Sequence, residues 1–122
     1  MTDSKTTIDD LKEASRKFAD ERDWDQFHNA KDLAIGIITE ASELLEHFRF
    51  KSPEESDALF KDPKKREQIC DELSDVTYFV MRFAQRYGID LSDEYLRKSG
   101  QSAKKYPIEK VKGQNKKYTE YD

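Results

Sequence analysis

Apolar residues recur at intervals of three and four along most of the chain, the spacing of helices that each bury one face. Ile8, Leu11, Ala14 and Phe18 predict a first helix over about residues 7–20, with Thr7 as N-cap and Asp10 as its capping-box partner. Ala34, Ile37, Ile38, Ala41, Leu45 and Phe48 predict a second, over about 31–50, whose buried face centres near Ala41 and Ile38. Ile69, Leu73, Val76, Val80, Phe83, Ala84 and Tyr87 predict a third, over about 63–87, with Gly88 as its stop. Ser52 and Pro53 open a short connecting helix between the two. Ser92 is the expected N-cap of a last helix that ends before Tyr106-Pro107. No alternating strand pattern interrupts the series. The expected fold is all-α: a small four-helix bundle over 1–106, followed by an extended tail over 107–122.

Composition changes this picture in one respect. Only 35% of the 122 residues are hydrophobic and 39% are charged, so a lone copy would bury little. A homodimer or homotetramer sharing its core is therefore expected. The net charge of -4 is too small, and 11% aromatic residues too many, for a disordered chain. There is no apolar run long enough to span a bilayer, the first ten residues are polar and acidic, and Cys70 is the single cysteine. These features lead to the expectation of a cytoplasmic protein without a membrane partner. Six of the 22 basic residues lie in the tail after Ala103, leaving an acidic body that repels a phosphodiester backbone, so no nucleic-acid partner is expected.

The charged residues are themselves patterned. At about 100° per residue, Glu40 falls beside the apolar face of the second helix, with Gly36, Glu43 and His47 along the same stripe. Glu72 and Asp75 occupy the matching stripe of the third helix, together with Phe79, Arg82 and Arg86. If the helices pack antiparallel, four carboxylates converge and require a cation. Hard oxygen ligands select Mg²⁺, or Mn²⁺, over zinc. Such metals can bind a polyphosphate and activate water. The spacing alone leaves a second reading open, in which each acidic pair is a solvated helix face. Between the first two helices, residues 22–30 form an aperiodic, aromatic loop carrying Trp24, Phe27 and His28, which either lines a pocket or packs onto the core.

Four segments taken together are more specific: Arg22-Asp-Trp-Asp-Gln-Phe-His28, Glu40-Ala-Ser-Glu43-Leu-Leu-Glu-His-Phe48, Asp71-Glu-Leu-Ser-Asp-Val76 and Lys105-Tyr-Pro107. In this order the chain resembles the MazG-like all-α nucleotide pyrophosphohydrolases, in particular the dCTP pyrophosphatase-like branch, from about Thr7 to Tyr118. The resemblance implies Mg²⁺-dependent cleavage between the α- and β-phosphates of a nucleoside triphosphate, giving a monophosphate and pyrophosphate. It implies that Glu40, Glu43, Glu72 and Asp75 hold the metal or orient the hydrolytic water. It places Trp24 and His28, with Phe50 and Phe79, in the part that holds the base, with Lys98, Lys105 and Tyr106 on the phosphate side; His28 could donate to a base carbonyl or to a phosphate, the alternative being a surface histidine without a role. Lys31, Arg82 and Arg86 are candidate phosphate contacts, the alternative for the two arginines being ion pairs within their helix. The chain departs from the family pattern at Ala30, Asp32 and Ser102, where relatives carry proline, asparagine and asparagine. A rival of another class is a catalytically idle helical module kept for self-association or regulation, which would release no pyrophosphate.

Overall fold

The computed structural model describes residues 1–121, and all regular structure among them is helical. The helices are α1 (Ile8–Glu21), α2 (Ala30–Glu46), α3 (Pro53–Ala58), α4 (Pro63–Arg86), α5 (Leu91–Lys105) and α6 (Ile108–Val111). The all-α expectation is met. None of these helices is long and apolar enough to cross a membrane.

Local sequence accounts for most of the helix ends. Thr7 and Asp10 form a reciprocal capping box at the start of α1, and Ser52 and Glu55 form another at α3, with Pro53 in its first turn. The Asn29 side chain accepts from the Asp32 amide and opens α2. Asp62 caps α4, and Gly88, at φ +61°, takes the left-handed conformation just past its end. The cap of α5 is Asp90, whose carboxylate accepts from the Asp93 amide at 2.9 Å. Ser92, expected in that role, is instead the second helical residue.

The chain divides into two compact units, Met1–Gly88 and Ile89–Asp122. The division falls at the glycine that ends α4, and α5 groups with the C-terminal segment. Within the second unit the segment after Pro107 is not extended as expected. It forms α6 and a 3₁₀ turn over Tyr118–Glu120. Tyr118 and Tyr121 set their rings edge-on against Tyr106, at 6.1 and 6.0 Å between centroids. This partly exposed aromatic cluster supplies a packing contact that a solvated tail would lack.

In the first unit α4 is central, with α1 and α2 both packed against it. Its fully enclosed apolar residues are Ala19, Leu33, Ile69, Met81 and Ala84. The face of α2 turned toward α4 runs through Leu33, Ile37, Glu40, Leu44 and His47, all buried or half-buried. The expected centre of burial, Ala41 and Ile38, lies on the adjacent face and is open to solvent. Ile38 is 66% and Leu45 60% exposed. The periodicity located one broad apolar surface on α2, and α4 covers only one side of it. Leu73 and Tyr87, expected in the core from α4, are exposed as well.

Candidate active site

Three pairings set the register of α2 and α4. His28, just before α2, meets Arg82; Gly36 meets Phe79; and His47, at the far end, meets Glu72. Residue numbers rise along one helix as they fall along the other, so the two run antiparallel and their polar stripes line one cleft. The contact at its middle is tight. A Cβ on Gly36 would lie 2.6 Å from two carbons of the Phe79 ring, so glycine is what lets the ring lie on the helix backbone.

At one end of the cleft, carboxylate oxygens of Glu40, Glu43 and Glu72 lie within 4.8 Å of one another. Each pair alone is an ordinary feature of an acidic helix; together they put three acids in one place. Asp75 stands outside this trio yet close enough to act on Glu40 and Glu72 by charge repulsion. The convergence expected of four acids is thus complete for three, with the fourth alongside. His47 Nε2 lies 3.8 Å from Glu72 Oε1 and faces this group from the same side.

The cluster is electrostatically frustrated. Burial, a hydrogen bond shared with Glu43, and the charges of Glu43, Asp75 and Glu72 push the Glu40 carboxyl up to about 7. Glu72 is raised by burial and by Glu43, with His47 opposing. Glu40 Oε2 is buried and has no hydrogen-bond partner. An oxygen left in this state costs free energy that a cation would return. An all-oxygen set of this kind suits Mg²⁺ or Mn²⁺.

At the other end lies the aromatic loop. Trp24 is 42% exposed, and its ring meets Phe18 of α1 edge-on at 5.7 Å. Phe18 meets Tyr78 at 5.6 Å, and Tyr78 meets Phe79 at 5.2 Å, so a row of rings runs from the loop to the middle of the cleft. The loop is therefore packed onto the helices and also partly open. Phe27 is exposed and His28 half-buried.

The structure corrects the expected phosphate role of Arg82. That side chain is 1% exposed, and its guanidinium is used up inside the protein. It donates to His28 Nδ1 at 2.9 Å, to Gln85 and to Asp25. Arg86 joins the same group, 3.4 Å from Asp25 and 3.3 Å from the His28 carbonyl oxygen. The two arginines thus tether the loop to α4, where ion pairs within the helix were the other expectation. Asp25, which sequence reasoning passed over, is their shared partner. Asp25 lies between the candidates Trp24 and Phe27 in an aperiodic loop, where no helical spacing singles out a charge.

The other expected residues are scattered. Lys31 is exposed in the first turn of α2. Phe50 is 91% exposed at φ +63°, with the Arg49 guanidinium over its ring at 4.7 Å. A bulky residue rarely holds this backbone conformation without compensation. Lys98, Lys105 and Tyr106 belong to the second unit, where the Lys105 ammonium sits over the Tyr118 ring at 4.8 Å.

The described residues form an all-helical protein in which two antiparallel helices bring three carboxylates together in one cleft. The MazG-like family model matches residues 35–121, and the chain belongs to that family. It is 33% identical to dCTP pyrophosphatase 1 of Bos taurus over 117 residues, which is 96% of this chain and 69% of the bovine protein. The Mus musculus dCTP pyrophosphatase 1 is 34% identical over 114 residues, covering 93% of this chain and 67% of that protein. Among solved structures, a pyrophosphatase from Archaeoglobus fulgidus matches with a TM-score of 0.75 at 29% identity, covering 82% of this chain and 92% of its own.

Proposed function

We propose that the chain cleaves a deoxycytidine-like or modified nucleoside triphosphate between its α- and β-phosphates, with Mg²⁺ as cofactor, in the service of nucleotide-pool sanitation. It is a nucleoside triphosphate pyrophosphohydrolase. The observation that carries the metal-dependent reading is the trio Glu40, Glu43 and Glu72, gathered within 4.8 Å with one oxygen of Glu40 buried and unpaired.

Glu40, Glu43 and Glu72 hold the metal, and Asp75 completes the acidic end as a ligand or as the group that orients the attacking water. When bound, Mg²⁺ supplies positive charge against the departing pyrophosphate and acidifies that water. Phe79, seated on Gly36, and Trp24 offer π-faces to the base, which explains affinity better than choice among bases. His28 adds a directional contact on that side. Lys31, an exposed cation in the first turn of α2, is a candidate contact for the far end of the ligand, and the family's motif assigns Lys98, Lys105 and Tyr106 to phosphate. Phe50 is assigned to the base in the same way.

The exposed apolar face of α2, Ile35, Ile38 and Leu45, supports a homo-oligomer with a shared core. Ile38→Glu is expected to lower the mass seen by light scattering. The catalytic reading is tested by pyrophosphate release from a panel of ribo- and deoxynucleoside triphosphates, with Mg²⁺, with Mn²⁺ and with chelator. Turnover should require metal and favour a cytosine deoxynucleotide. Absence of pyrophosphate from every triphosphate with either metal would overturn it.

A further inference from the structure

The buried Arg82 has no water to solvate it, so each of its donors needs a protein acceptor. Asp25 and Gln85 each accept from one of the two terminal nitrogens, and the third partner is a ring nitrogen of His28. A guanidinium has donors and no acceptor. In the 2.9 Å contact from Arg82 Nε to His28 Nδ1, the proton therefore belongs to arginine and Nδ1 carries none. A neutral imidazole with a bare Nδ1 must hold its proton on Nε2.

Protonating both nitrogens is opposed by the same surroundings. Burial, Arg82 and Arg86 lower the His28 pKa, while the Asp25 carboxylate pulls the other way. Asp25 is itself held ionised by its hydrogen bond from Arg82. Lys31, two residues into the loop's following helix, adds no negative charge. The contacts that hold His28 to α4 run through Nδ1 and the backbone carbonyl, not Nε2.

We propose that Arg82 is a positioning residue that makes His28 an obligate Nε2–H donor, so that the pocket demands an acceptor atom on the substrate's base, such as a pyrimidine ring carbonyl. This rests on the nucleotide reading above. The acceptor is assigned to the base and not to a phosphate by distance. Along α4, Arg82 lies seven residues from Asp75, about 10 Å from the acidic end where metal and phosphates gather.

The test begins with the free enzyme. Long-range ¹H–¹⁵N spectra at neutral pH should show the His28 imidazole neutral and protonated at Nε2; an Nδ1–H or doubly protonated ring overturns the proposal whether or not any nucleotide is hydrolysed. Deoxycytidine should then shift the Nε2–H resonance and inorganic triphosphate should not. The reverse result would transfer the contact to phosphate and overturn the assignment to the base. In kinetics, Arg82→Lys keeps the charge but cannot donate in the same geometry. KM should rise about tenfold, the weight of one hydrogen bond, with kcat within about twofold. His28→Gln, which offers both an acceptor to Arg82 and an amide donor, should retain more affinity than His28→Ala. Should Arg82→Lys fail to fold, the spectra and the His28 pair still decide. Equal losses in the two His28 variants, or an unchanged KM in a folded Arg82→Lys, would sink the proposal.

Discussion

Replacing Glu40 by glutamine should make the metal-free protein more stable at pH 8 while removing its activity. The Glu40 carboxyl sits at about 7 instead of 4.5, mainly through burial and then through Glu43. An acid whose folded pKa is raised binds more protons in the native state between those two values. Its favourable contribution is present below about 4.5 and is lost as pH rises through 7. At 1.36 kcal/mol per pH unit the full difference is about 3 kcal/mol. Glu43 is exposed and water screens the group, which reduces the share lost to about 1–2 kcal/mol. For a chain of this size that is roughly 5 °C in Tm. Thermal or urea unfolding in chelator, at pH 5 and pH 8, measures it directly. Wild type should lose stability between the two, and Glu40→Gln should lose much less. Added Mg²⁺ should restore wild type at pH 8, by about 2.7 kcal/mol when it stands a hundredfold above Kd, and should restore the variant far less. Equal stabilities for the two proteins at pH 8 in chelator, or an equal gain from Mg²⁺, would refute the idea that these carboxylates are strained against one another to receive a cation.

Three further expectations use the same geometry. Glu43→Gln and Asp75→Asn should each cut pyrophosphate release by roughly 100-fold or more with circular dichroism and Tm near wild type, and wild-type rates in either would remove it from the machinery. Trp24→Ala should weaken substrate binding by about 1–3 kcal/mol, read as KM, and should also lower stability by about 1 kcal/mol because the ring packs on Phe18. Gly36→Ala should gain about 1 kcal/mol of helix propensity but lose about 1–3 kcal/mol to overlap with Phe79. The net loss should shrink when Phe79→Leu is added, and a Gly36→Ala protein as stable and active as wild type would disprove the close seat of the ring.

Much of the local structure was legible residue by residue. Thr7 with Asp10, Ser52 with Pro53 and Glu55, and Gly88 after a long amphipathic run are signals whose physics acts within a few residues. The acidic pairs were legible in the same way, because a three-residue spacing puts both carboxylates on one side of any helix. Resolving power ended where two surfaces compete. α2 is apolar around more than half its circumference, so its period cannot say which half another helix of the same chain will cover.

What the order of residues already contained, then, is the all-α class, the helix ends and two acidic stripes, since each follows from backbone geometry and nearest neighbours. Packing alone could choose α4 as the partner of the Leu33–Glu40–Leu44 face and leave Ile38 and Leu45 in solvent. It alone could send Arg82 inward to Asp25 and His28, more than fifty residues away along the chain. A charge on a helical stripe reveals its direction from the axis, but which group meets it there depends on the segments that folding brings alongside.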